Sequence, residues 1–434
     1  MKMIFGLLLA GLFFTQSLPG EVFGASEETI QSQADRWYRQ RLQKFQQVEP
    51  YNQRRLERDL LQLEEGFEEQ RHFNYHGLYP QFGTISTGSS LAAGVRYWRP
   101  NLFGSILDLQ SSAAYSLNGY QQYTLQFGKI PQGPPGFFLR SSNFRSTSQF
   151  EKVPRKSGEL FLYADLRYRD FPQEDFFGLG PQSREEDRTD FELKEADYEV
   201  VVGYQFNPRL RTDVRAGFLQ VDIEPGTDGR FPATQELFND AAAPGLTEQP
   251  NFFRLGPSLL FDYRDRPGNP HRGGMLGFSF GRYEDLDGNA FDFNRFAINA
   301  RHYLPLGATS RVLAVQFFTS LDDADDAGQV PFYFQETLGG TDTLRGFDSF
   351  RFRDTNVLYF SAEYRWEPVS AVEFALFYDT GKVFADRSDF DFHDLENTFG
   401  FGVRLKTPNA VIFRADVGRS PEDTQIYFRF ASSF

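Results

Sequence analysis

Three side chains late in the chain have the types and spacing for electrostatic work: Arg345, Glu363 and Asp379. A guanidinium is a planar fork of donors. Facing two carboxylates, it makes a strong and directional lock. Arg345 lies in LGGTDTLRGF, residues 338–347, within a loop from about Asp322 to Thr355. Gly339 and Gly340 let that backbone turn where a side chain would clash, and Gly346 and Phe347 follow the arginine. Other patterns with chemical potential are thinner. His72 and His76 have a metal-like i,i+4 spacing but lack the acid a zinc hydrolase helix needs. DDADDAG (322–328) and EDLDGN (284–289) offer oxygen donors without completing a calcium loop, and read as solvated acidic loops. G-x-S-x-G, P-loop and H-E-x-x-H patterns are absent. No enzyme, metal or cofactor is expected.

Two short strands must position the acids. In VLYFSAEYRW (357–366), Leu358, Phe360, Ala362, Tyr364 and Trp366 share one face, and Ser361, Glu363 and Arg365 the other. In VEFALFYDTG (372–381), Val372, Phe374, Leu376 and Tyr378 oppose Glu373, Ala375 and Asp379. With the apolar faces toward lipid, both acids point into a barrel lumen. A loop folded back into that lumen would set Arg345 against them.

The rest of the chain fits such a barrel. Alternating segments run from about residue 89 to the end, about 16 of them, an even number as bacterial barrels require. The first is expected at 89–98. A weakly patterned segment at 138–152 is counted to keep the alternation of short turns and long loops. The short turns fall at Asn207–Pro208, Arg266–Gly273, Pro305–Thr309, Glu367–Ser370 and Pro408–Asn409. Long loops at 171–190, 224–251, 322–355 and 382–396 lie between them. The Arg345 loop is then extracellular, the sixth of eight. Aromatic residues reach 17%, with 50 Phe and 20 Tyr, which suits girdles at a membrane interface. Mean hydropathy is −0.48. A strand barrel tolerates that value because lipid-facing and lumen-facing residues alternate, and no apolar run after the N-terminus approaches the length of a spanning helix. There are no cysteines, so disulfides and thiolate metal sites are excluded. The net charge of −14 argues against a nucleic-acid partner.

These features resemble the outer-membrane assembly and translocation barrels, the BamA-type surface-antigen superfamily. There a loop with an R-G-F or R-G-Y tip folds into the barrel, and its arginine pairs with acids on the two following strands. The matching positions are Arg345, Gly346, Phe347, Glu363 and Asp379. A second motif is the turn FDYRDRPGNPHRGG, 261–274, which resembles Y-D-x-R-D-x-P-x-x-P-x-x-G between two mid-barrel strands. It places Asp262, Arg264, Asp265, Pro267 and Gly273. The resemblance covers about residues 88–434. It implies insertion or translocation of outer-membrane protein or lipid, with a labile seam between the first and last strands. The terminal strand DTQIYFRFASSF, with Phe428, Phe430 and Phe434 on one face, resembles the signal used for barrel insertion.

The N-terminal part differs. Residues 1–25 read as a secretory signal, with one lysine near the start and an apolar core too short to span a membrane. Residues 26–76 are rich in Glu, Gln and Arg with apolar residues at helical spacing, interrupted at Pro50. A short helical periplasmic extension is expected there, able to bind a periplasmic or envelope-biogenesis partner. The family usually carries βααββ POTRA domains at this place, and this segment is too short for one. The expected architecture is an all-β, 16-stranded antiparallel transmembrane barrel over 77–434, integral to the outer membrane and in contact with its lipid. Its alternatives are a passive diffusion pore or structural barrel, and a barrel-borne hydrolase.

Overall fold

The computed structural model describes residues 77–131, 157–288, 290–307, 310–325, 328–407 and 410–430. The signal segment, the 26–76 extension and Phe434 lie outside these residues. Among the described residues eighteen strands follow one another. They are β1 (Gly77–Gly83), β2 (Ala92–Arg99), β3 (Asp108–Ser116), β4 (Gln121–Lys129), β5 (Glu159–Phe176), β6 (Thr189–Asn207), β7 (Leu210–Pro225), β8 (Phe252–Asp262) and β9 (Gly273–Asp285). Then come β10 (Phe293–Pro305), β11 (Arg311–Ala324), β12 (Thr337–Leu338), β13 (Phe352–Arg353), β14 (Asn356–Val369), β15 (Val372–Phe384), β16 (Glu396–Lys406), β17 (Val411–Arg419) and β18 (Thr424–Phe430). Sixteen of them form one sheet of antiparallel neighbours in chain order, and β12 and β13 form a separate pair within the β11–β14 connection. The sheet curls into a nearly closed all-β barrel. Its ends, β1 and β18, come within 8 Å of each other, but no ladder joins them among the described residues.

Alternation sorts the side chains. On β6, Glu195, Asp197 and Glu199 are buried on the lumen side, while Tyr198, Val200 and Val202 are exposed on the outer wall. Register carries both patterns across strands. Leu166, Tyr198, Phe218 and Phe253 line up across β5 to β8 on the outside. Gln110, Gln126, Asp165 and Glu199 line up inside, where Gln110 Nε2 donates to Gln126 at 3.2 Å and Gln126 Nε2 donates to Asp165 at 2.9 Å. An apolar outside and a hydrogen-bonded inside are what a lipid-embedded barrel requires.

The strand membership differs from the sequence reading at two places. The first strand is Gly77–Gly83, ahead of the expected start, and β4 pairs directly with β5. The segment 138–152 lies outside the described residues. The parity is unchanged, so the β11–β14 connection is still the sixth of eight at its end. Pro80 hid β1. A proline suits an edge strand, where a missing backbone donor need not break a ladder.

The acidic segments read as solvated loops also differ. β11 runs to Ala324, and Asp322 is buried, accepting from Arg295 Nε at 2.7 Å and Nη2 at 2.5 Å. Asp285 belongs to β9 and accepts backbone N–H groups from Asp287 and Gly288 at 2.9 and 2.8 Å.

The end of the barrel that bears the β11–β14 loop is filled by an apolar core. Phe332, Tyr333 and Phe334 of that loop are buried. Phe332 meets Phe176 and Phe191 at ring distances of 5.0 and 4.9 Å, and Phe334 meets Phe252 at 5.1 Å. Tyr283 stacks on Phe293 at 4.4 Å. These wall residues lie at the loop-side ends of β5, β6, β8, β9 and β10, so one loop ties five strands together.

Candidate functional site

β14 and β15 pair with Ser361 opposite Asp379 and Glu363 opposite Phe377, and Asp379 faces Thr398 on β16. All these inward positions present to one patch of the lumen. Ser361 Oγ donates to Asp379 at 2.6 Å. The β11–β14 loop then enters the lumen and brings Arg345 onto the patch. Arg345 Nε and Nη2 donate to the two Asp379 oxygens at 2.8 Å each, and Nη1 donates to Glu363 Oε2 at 2.9 Å. Its guanidinium carbon lies 3.6 Å above the centre of the Phe377 ring, a cation–π contact. The Arg345 side chain is 3% exposed, and those of Glu363 and Asp379 are fully buried.

The arginine belongs to a larger network. Glu363 also accepts from Arg365 Nε at 2.6 Å and Arg404 Nη2 at 2.5 Å, and Arg404 Nη1 donates to Glu373 at 2.9 Å. Asp416 on β17 pairs with Arg414 at 2.6 Å and lies 3.7 Å from Arg345. Arg345, Arg365, Arg404 and Arg414 thus face Glu363, Glu373, Asp379 and Asp416, and the formal charges cancel. Cancellation is what makes a dry cluster tolerable, because an unpaired charge there would be expensive.

Backbone shape lets the loop come this close. Gly339, Gly340 and Gly346 have φ of +111°, +98° and +155°. A Cβ on Gly418 of β17 would stand 1.6 Å from the Arg345 carbonyl oxygen. Phe347 is buried against Phe352 at a ring distance of 5.0 Å.

The chain matches the Omp85 superfamily domain over residues 84–434. It belongs to the Omp85 superfamily. Among solved structures it is similar to BamA from Haemophilus ducreyi lacking POTRA domains 1–3, at 13% identity and a TM-score of 0.57, covering 82% of this chain and 70% of that one. It is also similar to CdiB from Escherichia coli, at 12% identity and a TM-score of 0.48, covering 82% of this chain and 62% of that one. No curated protein matches the sequence significantly. At such identities the structural likeness speaks for the fold, which is that of integral outer-membrane proteins.

The mid-barrel turn of this Omp85 chain is a second built feature. Arg264 grips Asp262 with Nε at 2.9 Å and Nη2 at 2.6 Å, and Arg264 Nη1 donates to the Pro267 carbonyl at 3.4 Å. Gly273 has φ of +92°, and a Cβ there would meet the Tyr263 carbonyl oxygen at 2.2 Å. The turn reaches other connections at its end of the barrel. Asn269 Nδ2 donates to the Thr407 carbonyl at 3.1 Å, and His271 Nε2 contacts Glu367 at 2.5 Å.

Asp265 organises this turn. It accepts backbone N–H groups of Arg266, His271 and Arg272 at 2.9, 3.0 and 3.2 Å. Burial pushes its carboxyl up, but the three donors outweigh burial and hold it below the usual range. A depressed folded value means stability that is present above the unfolded value and lost as pH falls through the folded one. Asp265→Asn is therefore expected to lose about 1 kcal/mol at neutral pH, a modest amount because the group is exposed. The difference from wild type should begin to shrink near about pH 4, the ordinary Asp value, and vanish only below the depressed folded value, where a protonated Asp265 accepts much as an amide does. Thermal unfolding against pH checks this; a difference that persists in acid would exclude the carboxylate as its source.

Of the insertion-signal positions, Phe428 is exposed on the outer wall and Phe430 is half-buried, while Phe434 lies outside the described residues. The sequence reading missed Arg404, Arg414 and Asp416. The signal was there in the alternation of β16 and β17, which puts Arg404 and Lys406, and Arg414 and Asp416, on inward positions.

Proposed function

We propose that this chain is an outer-membrane barrel acting in insertion or translocation of envelope substrates, protein or lipid, and not a passive pore or an enzyme. One observation carries the reading against the pore. The β11–β14 loop enters the lumen, with an aromatic core closing its own end of the barrel and the Arg345 network further along. A diffusion channel needs an aqueous path, and buried rings give none. Among the described residues no ladder joins β1 to β18, and such a seam supports the positive half: it would offer substrate a sideways route.

Residues 1–25 serve as the export signal in this reading, and 26–76 as a helical periplasmic segment that recruits an envelope partner. Export places the barrel in contact with outer-membrane lipid. The insertion signal at Phe428, Phe430 and Phe434 delivers the barrel itself to the membrane.

In planar bilayers the purified full chain is expected to give no steady open-channel conductance. A stable, large conductance without partners would overturn the proposal in favour of a pore. Depletion in the native cell should change outer-membrane protein or lipid composition. Removing 26–76 should leave the barrel folded, because the hydrogen-bonded wall lies downstream. Its expected effect is on capture of the partner.

A further inference from the structure

Among the described residues no ladder joins β1 and β18, and one loop makes side-chain contacts on both sides of that joint. β1 and β18 are both edge strands among the described residues. Edge strands leave a row of backbone donors and acceptors unpaired, and in a membrane that is costly. Side-chain contacts link the two sides of this joint.

The tip of the β11–β14 loop touches β18 and the connection that leads from β1 to β2. On the β18 side, Asp342 pairs with Arg429, Tyr427 O–H donates to the Phe347 carbonyl at 2.5 Å, and Gln425 Nε2 donates to Asp348 at 3.0 Å. On the β1 side, Thr87 Oγ1 of the β1–β2 connection donates to Asp342 at 3.5 Å. Gly340 lies so near Thr87 that a Cβ would stand 2.8 Å from its methyl, and Gly88 backs onto the Phe350 ring. Asp342 is the shared point, one carboxylate between the two sides of the joint.

We propose that this loop tip fastens the seam, with Asp342 as its central residue. The lumen lock and the fastener are parts of one loop, three residues apart at Asp342 and Arg345. Arg345 fixes the loop to β14 and β15, and Asp342, Phe347 and Asp348 carry that anchorage to β18 and the β1–β2 connection. Loosening the lock therefore loosens the seam without any change in β1 or β18 themselves. The inference rests on the fold and these contacts and does not depend on what the substrate is.

Hydrogen exchange read by mass spectrometry on the full chain in lipid nanodiscs tests it. Asp342→Ala is expected to speed exchange of amides in 77–83 and 424–430 by roughly tenfold, the order expected for loss of one charge-assisted bond. Amides of β6, on the far wall, should keep their wild-type rates. Tyr427→Phe removes a single hydroxyl and serves as a mild second variant. It should raise exchange in the same two segments by a smaller factor. Unchanged exchange at both edges in either folded variant would overturn the proposal. So would a rise spread equally over β6, which would make Asp342 a general stabiliser and not a fastener.

Discussion

Arg345→Ala is expected to cost the barrel about 3–5 kcal/mol, the range for breaking a buried ion pair from one side. That range applies because the groups are buried: Glu363 and Asp379 have no exposed side-chain surface. The variant leaves three guanidinium groups against four carboxylates and removes both bonds of the Asp379 fork. Phe377 also loses the cation above its ring. The loop tip should come free, so protease should cut within 338–347 under conditions where the wild type resists. Asp379→Ala should destabilise by a similar amount, since it removes the same two-bond fork and leaves Arg345 its bond to Glu363. The double variant should fall little further than either single one, because both remove one interaction. Arg345→Lys should recover only part of the loss: a point charge cannot serve two carboxylates in the geometry of a planar fork. Unfolding in detergent with limited proteolysis gives the readout. Fully additive losses in the double variant would mean that the two residues act independently, and would defeat the lock.

Much of this site was legible because it depends on period-two alternation and on the order of turns. Glu363 and Asp379 take their inward direction from the apolar residues beside them, and the sequence of short turns and long loops gave the Arg345 loop its end of the barrel. The cluster around the lock was harder to read. Arg404 meets Glu363 across 41 positions of chain, and only the register of β14, β15 and β16 brings them together. Gly418 is equally opaque in sequence. It reads as an ordinary weak point in a strand, yet its missing side chain is the space through which the Arg345 backbone passes. Asp322 was misread because the end of β11 was set too early. A strand that projects past its expected limit carries its inward acid with it, and a solvated loop residue becomes half of a buried pair with Arg295. β1 was missed for a chemical reason, since Pro80 contradicts an interior strand and is harmless at an edge.

Phe332→Ala should produce the other large effect, and one that bears on function. Phe332 is fully buried between Phe176 and Phe191, and its carbonyl accepts from Arg353 Nη1 at 2.8 Å. Truncating such a ring costs about 3–5 kcal/mol, through lost burial and the cavity left behind. The neighbours cannot easily collapse into that cavity, because Phe176 and Phe191 are fixed at strand ends and Phe332 sits on a loop held by other contacts. The change is at the aromatic core and leaves every bond of the Arg345 lock in place. Stability should therefore fall without the protease site at 338–347 opening to the same degree. Permeability should respond as well. A gap among the rings weakens the packing that closes that end of the lumen, so bilayers holding Phe332→Ala should show brief openings where the wild type shows none. Phe332→Leu, which keeps an apolar side chain of intermediate size, should restore most of the stability and the seal. If the alanine variant keeps wild-type stability and stays silent in the bilayer, the rings are not what closes the barrel, and the case against a passive pore loses its main support.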